Sequence, residues 1–174
     1  MANITDNKSM KTKMTEKFLT FNLGGEQYGV EILKVREIIG IMDVTRVPRT
    51  PEFVRGVINL RGKVIPIIDL RNKFGMPMVQ NTEQTCIIVV DLSFENNSLL
   101  MGIIVDSVSE VLDIDVDDIE DTPIFGTAVN IDFIKGIART KAGIKILLNI
   151  EEVLTTAEIL TLPKISSDEP LQAR

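Results

Sequence analysis

The chain has 174 residues, with 19 Lys plus Arg against 25 Asp plus Glu, a net charge of −6, one Cys, no Trp and no His. Without imidazole, Ser-His hydrolases, His-bound zinc and imidazole pH switches are excluded, and the lone Cys86 closes no intrachain disulfide. The acidic balance opposes binding to nucleic acid, and the longest apolar run, residues 86–90, falls far short of the ~20 needed to cross a membrane.

Val and Ile together supply 40 residues, and this β-branched excess predicts a β-rich fold. From Lys17 onward, Leu19, Phe21 and Leu23 alternate with polar or outward positions. Gly24-Gly25 then separates this run from residues 26–30, the pattern of a hairpin. Within residues 31–39, Ile32, Val35, Ile38 and Ile39 recur at spacings of three and four, which predicts a short helical turn. Residues 40–47 are again β-branched, and Pro48 and Pro51 precede a strand at 56–60. Arg61-Gly62 reads as a tight turn. The strand at 63–70 contains Pro66, which has no N–H for a ladder and must face a sheet edge or a bulge. One helical turn over 71–74 closes the unit. A Gly, Pro, Gln and Asn-rich linker follows, then a strand, polar loop and strand over 85–91, 93–98 and 99–105, and a short helix is expected at 157–162.

The second part of the chain repeats the first. Residues 29–39 align without gaps on 102–112, matching Gly29 to Gly102, Val35 to Val108 and Glu37 to Glu110. Residues 53–57 meet 133–137, and 67–70 meet 147–150. Such self-similarity indicates an internal duplication. About five short strands in each half suit a small barrel, and a unit that small needs a neighbour to complete its core. The expected fold is therefore all-β: two tandem five-stranded barrels packed side by side, with a few short helices. The expected division is a flexible tail at 1–16, a first barrel at 17–77, a linker at 78–84, a second barrel at 85–156, a helix at 157–165 and a tail at 166–174. Ile32, Val35, Ile38, Val105, Val108 and Val111 are expected to line the seam.

Six carboxylates fall between Asp113 and Asp121, which raises the alternative of a divalent-metal-binding regulatory protein built on segment 113–121. The calcium-loop rule rejects it, because the sixth position is Asp118 rather than Gly and the twelfth is Ile124 rather than Glu. Leu112, Ile114 and Val116 alternate with the acids, so a strand with one wet acidic face accounts for the run. Neither GxGxxG nor a P-loop is present. Arg61, at a turn tip, is placed either to pair with Glu37 or to touch a partner. Cys86 opens an apolar strand and reads as an inert thiol. The seam residues are either core or the lining of a groove for an amphipathic helix of another protein.

Glu37, the segment from Phe53 to Gly56 and the run GVINLRGKVIPIIDLR at 56–71 closely resemble the CheW family of bacterial chemotaxis coupling proteins. The resemblance extends over nearly the whole chain, through GIIVDSVSEVL and FIKGIARTKAGIKILLNIEEVL. It implies two SH3-like barrels, no catalytic activity, no catalytic residues, no cofactor and no metal. It also implies a cytoplasmic adaptor at receptor arrays on the inner face of the membrane, joining the signalling tips of methyl-accepting chemoreceptors to the C-terminal regulatory domain of the histidine kinase CheA. No nucleic acid binding and no membrane insertion are implied. Carried onto this sequence, the receptor-binding groove falls on Leu19, Ile32, Val35, Glu37, Ile38, Arg61, Val105 and Val108. The kinase-binding edge falls on Gly40, Asp43, Val44, Thr45 and Arg46.

Overall fold

The computed structural model describes residues 14–94, 96–121 and 132–162. The opening alternation forms β1 (Thr15–Leu23) and β2 (Glu26–Glu31), joined by Gly24 and Gly25, both at positive φ. A single 3-10 turn, Ile32–Lys34, leads into β3 (Val35–Gly40), so the helix expected over 31–39 is corrected to three residues and a strand. The three-and-four spacing misled because β3 carries an irregularity between Val35 and Glu37, which pair with Val90 and Val89. An extra residue in a strand shifts the two-residue period and imitates a helical one.

Next come β4 (Val54–Leu60), β5 (Lys63–Asp69) and a one-turn helix α1 (Leu70–Lys73), capped by the Asp69 side chain accepting from the Asn72 amide. Then follow β6 (Cys86–Phe94), β7 (Asn97–Val105), β8 (Ser107–Asp115), a 3-10 turn at Val116–Asp118 and β9 (Ile119–Glu120). The chain continues with β10 (Ile134–Thr140), β11 (Gly143–Leu148), a 3-10 turn at Ile150–Glu152 and α2 (Thr156–Thr161). Thr155 and Glu158 close a capping box on α2. β1 starts at Thr15, inside the expected N-terminal tail. Residues 1–13, 163–165 and the expected tail at 166–174 lie outside the described residues.

The all-β expectation holds, with two sheets among the described residues. One has the order β8-β1-β2-β11-β10-β9 and the other β3-β6-β7-β5-β4. The division into contiguous halves at 17–77 and 85–156 is corrected by this order. The first hairpin completes the sheet of the second half, and β6–β7 completes that of the first. The β3-to-β7 sheet is thus a continuous insertion spanning 35–105. The expected linker at 78–84 connects α1 to β6 of the same sheet rather than one barrel to the other. Connection length explains the exchange. In its own half the hairpin would place β2 parallel to β3, and a parallel return needs a crossover of about a dozen residues, whereas only Ile32–Lys34 intervene.

The duplication is visible where each exchanged hairpin joins its host. β2 runs parallel to β11 with Gly29 opposite Leu147, and β7 runs parallel to β5 with Gly102 opposite Ile67. A Cβ on Gly29 would lie 2.9 Å from Leu147 Cδ2, and one on Gly102 only 2.5 Å from Ile67 Cδ1. At both joins the glycine lets the parallel neighbour's side chain lie directly on the backbone, and an added Cβ would have to push it aside. Pro66 lies on an interior strand, not at a sheet edge or a bulge, yet at a position that asks for no ladder donor. Val57 exchanges both backbone hydrogen bonds with Thr45 at 2.8 Å, so the Val57–Pro66 pair is not itself hydrogen-bonded. The proline nitrogen faces the other edge, where pairing with β7 begins only at Ile67.

One core cluster spans both sheets, including Leu19, Phe21 and Val30 from one and Ile88, Met101 and Val105 from the other. An aromatic chain crosses it: Phe21–Tyr28 at 5.8 Å, Tyr28–Phe74 at 6.0 Å and Phe74–Phe133 at 4.8 Å between ring centroids. Offset ring pairs at such separations add to the area they bury.

Candidate partner-binding surfaces

The seam between the sheets collects most of the expected groove, though at different depths. Leu19 and Val105 are buried within the shared core and are corrected from contact residues to its interior. Ile32, Val35 and Val108 are partly buried against that core, which leaves an apolar surface above it. Ile38, expected in the seam, is instead 45% exposed, and Val111 is exposed as well, because each sits on the outward side of its strand.

Arg61 and Glu37 are brought together. The NLRG segment forms a two-residue hairpin turn with Arg61 at φ 51° and Gly62 at φ 85°. Positive φ at both central residues matches the twist of the flanking strands. Asn59 Oδ1 accepts from the Gly62 amide at 2.9 Å, and from this turn Arg61 Nη2 donates to Glu37 Oε1. The Arg61 side chain remains 72% exposed, so this surface pair adds little to stability, roughly 0–1 kcal/mol. Its chief effect is to present an oriented guanidinium beside β3. Next to it, Arg36 donates to Asp91 Oδ2 at 2.8 Å, and Ser98 donates to Asp91 Oδ1 at 2.6 Å. These hydrogen bonds, first from Ser98 and then from Arg36, hold the Asp91 carboxyl below the usual carboxylate range.

The expected kinase edge leaves β3 at Gly40. Gly40, Asp43, Thr45 and Arg46 are exposed, while Val44 packs on a second cluster that includes Ile58, Ile65 and Ile87. Thr45 anchors the segment to β4 through its two bonds with Val57. Gly56 permits this approach: its φ is 141°, and a Cβ there would stand 2.0 Å from the Thr45 carbonyl oxygen. Ile41 and Met42, overlooked in the sequence, are also exposed and connect Ile38 to this edge. The signal was available as apolar residues just beyond the last position of β3.

The acidic run has structural partners. Asp113 pairs with Lys17 at 2.8 Å, Asp115 Oδ1 accepts from the Asp117 amide at 3.0 Å, and Glu120 pairs with Arg139 at 3.2 Å. Among the described residues no three His, Cys, Asp or Glu side chains converge as a metal site. Cys86 is partly buried, and desolvation pushes its thiol above the ordinary value, partly offset by a hydrogen bond with the Val108 backbone. A thiol shifted that way is a poor nucleophile. Among the described residues no helix is long and apolar enough to cross a membrane.

Residues 17–158 match the CheW-like domain. Chemotaxis protein CheW of Klebsiella aerogenes is 38% identical over 151 residues, covering 87% of this chain and 89% of that protein. Its counterpart in Helicobacter pylori is 35% identical, covering 79% of this chain and 81% of the relative. The crystal structure of the scaffolding protein TtCheW from Thermoanaerobacter tengcongensis superposes with a TM-score of 0.73 at 36% identity, covering 83% of this chain and 96% of that one. With its duplicated β units, NLRG turn and matched length, the chain belongs to the CheW-like family of chemotaxis proteins.

Proposed function

We propose that this chain is a non-catalytic chemotaxis adaptor that couples the cytoplasmic signalling tips of methyl-accepting chemoreceptors to the C-terminal regulatory domain of the histidine kinase CheA. The observation that carries this reading is the partly exposed apolar surface of Ile32, Val35 and Val108, set over the core shared by both sheets. Such a surface suits one amphipathic helix of a receptor tip, with the paired Glu37 and Arg61 and the exposed Ile38 at its margin. The edge formed by Gly40, Asp43, Val44, Thr45 and Arg46 is the proposed kinase contact, separate from the seam but joined to it through β3. An adaptor with two neighbouring contacts relays packing changes in the receptor to the kinase without chemistry of its own. Its site of action is the cytoplasmic face of the membrane, within receptor arrays.

The test is a pull-down with a receptor signalling fragment and a kinase regulatory domain, offered separately and together. Val35→Glu and Val108→Glu are expected to lose the receptor fragment and keep the kinase domain, with an unchanged circular dichroism spectrum. If either variant unfolds, that position is core, and the groove reading fails there.

A further inference from the structure

The chain passes between the two sheets twice, and the passages are built differently. At Asp106 the crossing is held on both sides. Arg71 donates to its carboxylate through Nε at 2.9 Å and Nη2 at 2.6 Å, the Gly24 amide donates to Oδ2 at 2.9 Å, and the Asp106 amide donates to Asn22 O at 3.0 Å. The other crossing is the turn Ile32–Lys34. It has no side-chain cap and Leu33 at its apex is 92% exposed; what holds it among the described residues is Ile32 against the core, the Lys34–Glu151 pair and, at the flanking Glu31, a pair with Lys135.

Among the described residues this turn is the one covalent link from the β1–β2 hairpin to the rest of the chain, since the hairpin precedes it and the continuous sheet follows. Within one chain the two halves already stand to each other as two bodies that have traded hairpins. We propose that the β1–β2 hairpin is also exchangeable between chains. In this arrangement Ile32–Lys34 straightens, β2 and β3 run on as one strand, and each copy inserts its hairpin between β8 and β11 of the other.

The contacts of the hairpin with β8 and β11 are the same in either arrangement, including the run from Thr15↔Asp115 to Asn22↔Ser107 and the parallel pairs at Tyr28 and Gly29. Only the hinge and the cost of association differ. Exchange of an identical element through a short hinge is an easily reached route to a dimer. A second copy is the favoured partner because its hairpin carries the identical complement to β8 and β11.

The experiment uses the full chain with Cys86→Ser as background and a disulfide across β1 and β8 from Asn22→Cys with Ser107→Cys, positions that are paired and whose side chains already bond at 2.8 Å. Deleting Leu33 and Lys34 should yield a dimer by light scattering whose disulfide joins two chains on a non-reducing gel. Inserting three glycines after Leu33 should yield a monomer with an intrachain disulfide. A shortened-hinge protein that stays monomeric, or dimerises with intrachain disulfides, overturns the proposal. With the native hinge, the disulfide variant is opened in urea and returned to buffer. A roughly tenfold rise in protein concentration should then raise the interchain-to-intrachain ratio about tenfold. A ratio that does not respond to concentration overturns the proposal even if the deletion variant is insoluble.

Discussion

Gly56→Ala tests how the proposed kinase edge is fastened. A Cβ at this position would lie 2.0 Å from Thr45 O, 2.7 Å from Thr45 C and 3.0 Å from Val44 Cγ1, with φ at 141°. The carbonyl can retreat only by breaking the two 2.8 Å hydrogen bonds between Thr45 and Val57. Backbone strain of about 1–3 kcal/mol and two lost hydrogen bonds at about 1 kcal/mol each give roughly 3–5 kcal/mol. That is a large fraction of the ~5–15 kcal/mol that holds a domain together. With a urea slope of about 1–3 kcal/mol per molar, the unfolding midpoint should fall by more than ~1 M. Hydrogen exchange at the Thr45 and Val57 amides should accelerate, and kinase-domain capture should drop while receptor capture persists. Gly40→Ala is the control for stability and hydrogen exchange, since no atom lies within 4 Å of its added Cβ and its φ is not positive. A Gly56→Ala protein with an unfolding free energy within ~0.5 kcal/mol of wild type and still-protected Thr45 and Val57 amides would refute this reasoning.

Glu37→Gln should free the Arg61 guanidinium, changing stability by less than ~1 kcal/mol while weakening receptor capture, as checked by unfolding and pull-down in parallel. Among the described residues three carboxyls lie below their usual range in the folded chain. Burial pushes Asp106 up, but Arg71 and the Gly24 amide outweigh it. Burial likewise raises Glu158, which Lys73 and the Thr155 amide bring down, and Asp91 is lowered by Ser98 and Arg36. A depressed carboxyl contributes stability that is fully present above its unfolded value and is lost as pH falls through the folded one. With no His in the chain, the urea midpoint should stay flat from about pH 6 to 8 and decline below about pH 4. A step between pH 6 and 8 would contradict this assignment.

Much of the fold is written in local pattern. The alternation at Leu19, Phe21 and Leu23, the glycine pair at the first turn and the Arg61-Gly62 turn each specify their structure within a few residues. The Glu37–Arg61 pair was legible as a candidate, although its partners stand 24 residues apart. The depth of the groove residues was not. Val105 and Val108 are both valines three positions apart, yet one is core and the other partly exposed, because β7 ends at Val105 and the chain changes sheets at Asp106.

By itself the sequence determined that the chain is β-rich, duplicated, free of imidazole chemistry and similar to the CheW family. Those properties reside in composition, period and local repeats. The tertiary structure decided which hairpin belongs to which sheet. Gly29 and Gly102 are interchangeable as glycines, and so are Leu147 and Ile67 as the apolar residues they admit, so local pattern treats the two possible joins alike. Reading 31–39 as a helix also concealed how little chain separates β2 from β3. Three residues cannot carry the backbone back along a strand to start a parallel neighbour, so the hairpin completes the other sheet, and the seam this creates is where the proposed receptor surface lies.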